Sequence, residues 1–289
     1  MTRTAISPRL AIRIFFGTNT YLVRAMTPSN PSSATIWPIG WTVHHVAETG
    51  STNDDLVAAA SAGALDRTVI VADFQTAGKG RLDRTWDATR GSNLLVSLLF
   101  RYESEDPSRF ARIVALAARD ACESLSKTPV QVKWPNDLIV GGRKLGGLLA
   151  VASPRERFVV VGIGVNVGWA PPDAVSLASA SQTGAPRIAS GERMPAPLIL
   201  PPTLTPQVLL VAMLERVDTR RQCDDAQLRT EHKSVLATLG ARVRIDLRAG
   251  ESLFGDAIDL DDASRLIVQD DEGVRHVIDV GDVVHLRVQ

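Results

Sequence analysis

The sequence predicts an α+β fold, in which a mixed, largely antiparallel sheet is covered by helices and a small SH3-like β-barrel follows at the C-terminus. Three observations lead there. Apolar strands come in hairpins set apart from the helical stretches. Segment 107–125 repeats its apolar residues at helical period. The tail from Ala241 is a series of short β-branched runs separated by turn residues.

In chain order, "WTVHHVAET" alternates enough for a strand, and "STNDDLVAAASAG" carries helix-start chemistry. Ser51 or Thr52 can cap, Asp54 and Asp55 fall in the first turn, and Gly63 can end the helix. "TVIVADF" and "NLLVSLLFR" read as buried strands on either side of a glycine-rich loop. From Pro107, a helix places Phe110, Ile113, Val114, Ala117, Ala121 and Leu125 on one face. "VQVKWPNDLIVGGRKLGGLLAVAS" predicts two strands around a Gly141-Gly142 turn, and "RFVVVGIGVNVGW" a third. Helices set apart from hairpins predict a sheet covered on one side. Residues 184–206 are proline-rich and read as an exposed loop, with helices expected over 206–222 and 225–238. The short strands "RVRIDL", "SLFGDAIDLD", "RLIVQDD", "VRHVIDV" and "GDVVHLRV" complete the barrel. The expected division is an extension (1–40), a main domain (41–239) and a small β domain (240–289).

The extension has no Asp or Glu before Glu48, while Arg3, Arg9, Arg13 and Arg24 fall early. Such a composition suits a transit peptide, but no clear amphipathic period supports one. The reading preferred is translation from Met26, with "TPSNPSSATIWP" as a linker.

Composition narrows the function classes. The 32 basic and 32 acidic residues of the 289 balance, which argues against a nucleic-acid-coating protein. Cys122 and Cys223 stand far apart and outside any CxxC, so neither a disulfide framework nor a zinc site is expected, and a reducing cytoplasm is. The histidines lack ligand spacing. No 18-residue apolar run predicts a membrane span.

The chemistry concentrates in three stretches. In "QTAGKGRLDRTW" (75–86), Gly78 and Gly80 permit close backbone approach, so that N–H groups, Lys79 and Arg81 could converge on an anion, with Arg84 and Trp86 nearby. Phosphate plus a flat heterocycle suggests a nucleotide. A Walker loop would open a helix, whereas this loop joins two strands. Taken alone, it could equally be a glycine hairpin with solvated charges. "KWPND" and "GGRKLGG" place Lys133 and Lys144 beside apolar strands, where a charge wants an anionic partner. Singly, each could be a surface lysine. "GIGVNVG" is no GxGxxG, and its glycines suit a ligand lying against the sheet.

Together, "GSTN" (50–53), "QTAGKGR" through Trp86, "KWPND" (133–137), "GRKLGGLL" (142–149) and "GIGVN" (162–166) resemble the biotin protein ligase family in order and spacing over residues 42–289. The resemblance implies a class II synthetase-like catalytic domain. It also implies a two-step reaction: biotin and Mg-ATP give biotinyl-5′-AMP, and a lysine of a biotin carboxyl carrier domain then takes the acyl group. By the same resemblance, Ser51, Thr52, Asn53 and Gln75 contact biotin's ureido end, with Lys79, Gly80, Arg81, Lys144, Gly147, Gly162 and Gly164 completing the biotin site. Lys79, Arg81, Arg84, Trp86, Lys133, Asn136, Asp137 and Asn166 are carried over as nucleotide-binding. Lys144 and Arg81 are the catalytic candidates. Magnesium would be held mainly through ATP phosphates, with Asp137 as a candidate protein ligand.

Two positions depart from the family's pattern. Lys79 stands where Arg is usual, keeping the charge but not the planar fork, and Asp83 stands where glycine is common. The segment before the ligase-like start has no helix-turn-helix pattern and is broken by Pro28, Pro31 and Pro38, so no specific DNA binding is expected. A lipoate ligase is the enzymatic alternative. The expected assembly is a monomer or a homodimer.

Overall fold

A computed structural model describes residues 37–81, 84–103, 106–181, 202–246, 252–279 and 282–285, and the backbone of 14–16 and 19–21. Ile14–Phe16 (β1) and Asn19–Tyr21 (β2) pair antiparallel. The rest of the expected extension up to residue 36, Asp83 and most of the proline-rich 184–206 stretch lie outside the described residues.

The main sheet has seven strands: β3 (Thr42–Val46), β4 (Thr68–Ala72), β5 (Leu94–Arg101), β6 (Gln131–Lys133), β7 (Asp137–Val140), β8 (Arg143–Ser153) and β9 (Phe158–Val165). Their order is β3-β4-β5-β9-β8-β7-β6. β3 runs parallel to β4 and every other neighbour is antiparallel, so the sheet is mixed as expected. The central pair β5 and β9 is in register from Leu94↔Val165 to Arg101↔Phe158. Both are almost continuously apolar because both faces of the sheet are covered.

Among the described residues, five helices accompany the sheet: α1 (Thr52–Ser61), α2 (Ser108–Ser126), α3 (Leu177–Ala180), α4 (Pro206–Arg221) and α5 (Asp225–Ser234). One parity of the strands (Val69, Val71, Val96, Leu98 and Phe100) meets Phe110 and Ile113 of α2 and Leu209, Leu210 and Met213 of α4. The opposite parity (Ile70, Leu99, Phe158 and Val160) meets Leu56, Ala59 and Ala60 of α1. The expectation of a sheet covered on one side is thus corrected: α1 lies on the second face. It is only ten residues long, and the strip of that face beyond its N-terminus remains for a cleft.

Two boundaries differ from expectation for physical reasons. Pro135 has no N–H for a ladder, so the stretch before the Gly141-Gly142 turn splits into β6 and β7. α5 stops at Ser234 because the next residues pair with the sheet edge: Val132 N–H donates to Val235 O and Ala237 N–H to Val132 O.

The tail forms β10 (Arg242–Asp246), β11 (Ser252–Leu260), β12 (Leu266–Gln269), β13 (Arg275–Ile278) and β14 (Asp282–His285). The antiparallel order β13-β12-β11-β10-β14 returns the last strand beside the first, as an SH3-like β domain requires. Its interior (Val243, Ile245, Leu266, Val268) is continuous with the main core. The turn before β12 is clamped to the β6–β7 connection and to α2, since Trp134 Nε1 donates to Ser264 O at 3.0 Å and Arg112 Nη1 to Ser264 Oγ at 2.8 Å. No helix among the described residues is long and apolar enough to cross a membrane.

Candidate active site

The strip beside α1 opens into a cleft of about 390 Å³, roofed by the glycine-rich hairpin and bounded by β8, β9 and the end of β10. Its floor is a polar network at the start of α1. Ser51 caps the helix by accepting from Asp54 N–H. Thr52 donates to Gln75 Oε1 through its N–H at 2.8 Å and its hydroxyl at 3.0 Å. Asn53 Nδ2 donates to Leu149 O at 3.0 Å, and Ser97 Oγ lies 2.8 Å from both Thr52 Oγ1 and Asn53 Oδ1. Ser97 was not among the expected site residues. Its signal was present, because a hydroxyl inside "LLVSLLF" is buried in a central strand and needs partners.

The glycines do a different job from the one expected. A Cβ at Gly162 would stand 2.3 Å from Asn53 Oδ1, and one at Gly164 would stand 2.4 Å from the Trp86 ring. These residues therefore admit two side chains that line the cleft, rather than leaving β9 bare for a ligand. The hairpin likewise closes on itself: Trp86 N–H donates to Gly78 O at 2.9 Å and Gly80 N–H to Arg84 O at 2.6 Å. The Gly80 N–H is thus committed within the loop, and attraction for an anion falls to Lys79, Arg81 and Arg84, all of which line the cleft.

Lys144 and Lys133 complete this basic rim. The bulge between Leu138 and Ile139 shifts β8 against β7, so that Lys144 stands opposite Ile139. Its Nζ is 2.8 Å from Asp137 Oδ1 and 5.5 Å from the Trp86 ring centroid. A Cβ at Gly147 would crowd both Asp137 and Lys144, at 3.3 Å. Asn136 bonds Leu148 O through its side chain. The Trp86 indole N–H is buried without a partner, a donor facing the cleft wall. Among the described residues, no group of three His, Cys, Asp or Glu could hold a metal ion.

Ser51, Thr52, Asn53, Gln75, Lys79, Gly80, Arg81, Arg84, Trp86, Lys133, Asn136, Asp137, Lys144, Gly147, Gly162 and Gly164 all line this one cleft. Asn166 does not. It is buried behind β9, donating to Val175 O at 3.3 Å and accepting from Asn93 Nδ2 at 3.4 Å, and it fixes the chain leaving the strand. Asp246 and Val283 of the small β domain also reach the cleft, which no local motif announced. Arg244, then Ser252, hold the Asp246 carboxyl below its ordinary range.

A family model described as the biotin/lipoate A/B protein ligase family matches residues 49–167, and a second, the biotin protein ligase C terminal domain, matches 238–286. The biotin--[acetyl-CoA-carboxylase] ligase of Mycobacterium tuberculosis is 37% identical over 254 residues, spanning 84% of this chain and 88% of that one. The chain belongs to the biotin protein ligase family. A more distant member, the bifunctional ligase/repressor BirA of Bacillus subtilis, is 26% identical over 75% of this chain and 66% of its own. In fold, the biotin protein ligase of Aquifex aeolicus, solved in complex with biotin and ATP, superposes with a TM-score of 0.65 at 23% identity. That match covers 85% of this chain and 99% of that chain.

Proposed function

We propose that the protein is a biotin protein ligase, which activates biotin with ATP to biotinyl-5′-AMP and transfers the biotinyl group to a lysine of a biotin carboxyl carrier domain. One observation carries the assignment of roles: a single cleft joins a floor of hydrogen-bonding side chains to a rim of five cations, Lys79, Arg81, Arg84, Lys133 and Lys144. A buried urea needs donors and acceptors on both sides; Thr52, Asn53 and Gln75 supply them, and Ser97 behind them holds Thr52 and Asn53 in place. The dithiolane end of lipoate offers no such groups, which favours biotin.

At the rim, a carboxylate must approach a triphosphate, so like charges have to be neutralised before attack. Lys144, beside Gly147 and the Trp86 face, is suited to both the biotin carboxylate and the α-phosphate, with Arg81 in the same cleft. A carboxylate oxygen attacks the α-phosphorus and pyrophosphate leaves. The carrier amine, having lost a proton, then attacks the acyl carbon and AMP leaves. Magnesium, when bound, would neutralise phosphate charge. With Asp137 paired to Lys144, it would be held mainly through ATP phosphate oxygens, with Asp137 as the one candidate protein ligand. The covering hairpin excludes water from the mixed anhydride. The two cysteines, unpaired in the structure, suit a cytoplasmic enzyme.

The test is incubation with Mg-ATP, labelled biotin or labelled lipoate, and a biotinyl or lipoyl carrier domain. Label should pass from biotin to one lysine of the biotinyl carrier. Transfer of lipoate without biotin would reject the assignment.

A further inference from the structure

The hairpin's base is zipped to the β3–α1 connection: Thr76 N–H donates to Thr49 O and Ala77 N–H to Gly50 O, both at 2.9 Å. Beyond that zipper, Trp86 anchors one flank of the hairpin by lying over Gly164. On the other flank Lys79 lines the cleft, yet its Nζ ends 2.6 Å from Asp54 Oδ2, in the first turn of α1. An ammonium is a compact charge that suits this single contact, whereas the family's usual arginine presents a planar fork. Asp54 itself does not line the cleft.

We propose that Asp54 is a positioning residue that acts through Lys79, latching the hairpin over the cleft and so setting how long biotinyl-5′-AMP is retained before transfer. The inference rests on the ligase reading and adds to it a residue with no ligand contact of its own. Because the two side chains are 52% and 57% exposed, the latch is weak and screened by salt. An exposed pair of this kind shifts a closing equilibrium by about two- to fivefold. Such a shift is enough to change leakage while leaving the chemistry of activation intact.

Wild type, Asp54→Asn, Lys79→Met, the double variant and the charge swap Asp54→Lys/Lys79→Asp would be compared by three measurements. Pyrophosphate exchange with biotin and ATP reports activation. Release of labelled biotinyl-5′-AMP, read also as bystander biotinylation of serum albumin, reports retention. Tryptic cleavage after Arg81 or Arg84 in the absence of ligand reports hairpin closure. Asp54→Asn is expected to leave exchange unchanged and to speed both release and cleavage by about two- to fivefold. The double variant, alone or with the charges swapped, should release adenylate and be cleaved no more slowly than Lys79→Met alone, because Asp54 acts through Lys79, and wild type in about 1 M salt should approach Asp54→Asn. If Asp54→Asn released adenylate and was cleaved at the wild-type rate, the latch would be overturned, and a defect confined to Lys79→Met would mean that Lys79 acts on the ligand directly. Absence of exchange in wild type would instead reject the ligase reading, and this proposal with it.

Discussion

A methyl group at Gly162 would stand 2.3 Å from Asn53 Oδ1, a distance that no rotation of that saturated amide relieves without breaking its bonds to Ser97 and Leu149 O. Gly162→Ala should therefore push Asn53 off the cleft floor and weaken biotin binding by about tenfold or more, the cost of one unsatisfied buried polar group. Titration calorimetry with biotin checks this, and an unchanged Kd would remove Asn53 from the biotin site. Lys144→Ala acts at the rim, removing the cation between Asp137 and the Trp86 face. Pyrophosphate exchange should fall by about 10²–10³-fold, the usual effect of losing one preorganised stabilising group, with the fold retained. Near-normal exchange would refute its role. Most of these residues were legible because each sits in a short motif with a chemical reason for its type. The reasons for Gly162 and Gly164 were not, because the side chains they admit, Asn53 and Trp86, come from segments distant in sequence. Asn166 shows the converse: a polar residue within a motif can serve the wall rather than the ligand.

Among the elements, those with a clear period or cap were legible: α1 from its Ser51 cap, α2 from its apolar face, and β4, β5 and β9 from their β-branched runs. α3 has four residues and no period, so nothing in the sequence marked it. The α5 end was illegible for another reason, since pairing with β6 outweighs helix propensity there. α5 also carries a pH dependence. His232 is buried against Arg112 without a partner for Nδ1, and desolvation, then the guanidinium charge, lower its pKa to about 4. The unfolded chain takes up this proton near 6.5, so between the two values the unfolded state binds more protons. Stability is fully present above about pH 6.5 and falls as pH drops toward 4, by about 3 kcal/mol. Urea unfolding of wild type and His232→Leu across this range should show the loss in wild type and a smaller slope in the variant; parallel curves would assign the loss to other groups.

On the scale of the molecule, the small β domain is part of the cleft rather than an appendage. Asp246 and Val283 reach the cleft, and Trp134 touches both the cleft and Ser264. A reading made along the chain could find both domains but not their contact, which rests on Trp134 within a motif and on Arg112 outside any. Arg112 is 3% exposed and holds Ser108 on its own helix, Asp225 at the start of α5 and Ser264 in the small β domain. The guanidinium is held at this junction by acceptors for its two terminal nitrogens, although its Nε has none, and removing it strands those acceptors. Arg112→Met keeps much of the side-chain volume while losing all three contacts, and should cost about 3 kcal/mol. It should also loosen the Ser264 turn, so that the small β domain samples positions away from the cleft. The expected signature is twofold: earlier urea unfolding, with a lower m-value if the domains separate, and a raised KM for the carrier domain without loss of pyrophosphate exchange in native conditions. A variant that unfolds earlier but keeps the wild-type KM for the carrier would confine Arg112 to stability and leave the seating of the small β domain to the Trp134 bond, the Arg229–Asp262 and Lys233–Asp259 pairs and the shared core.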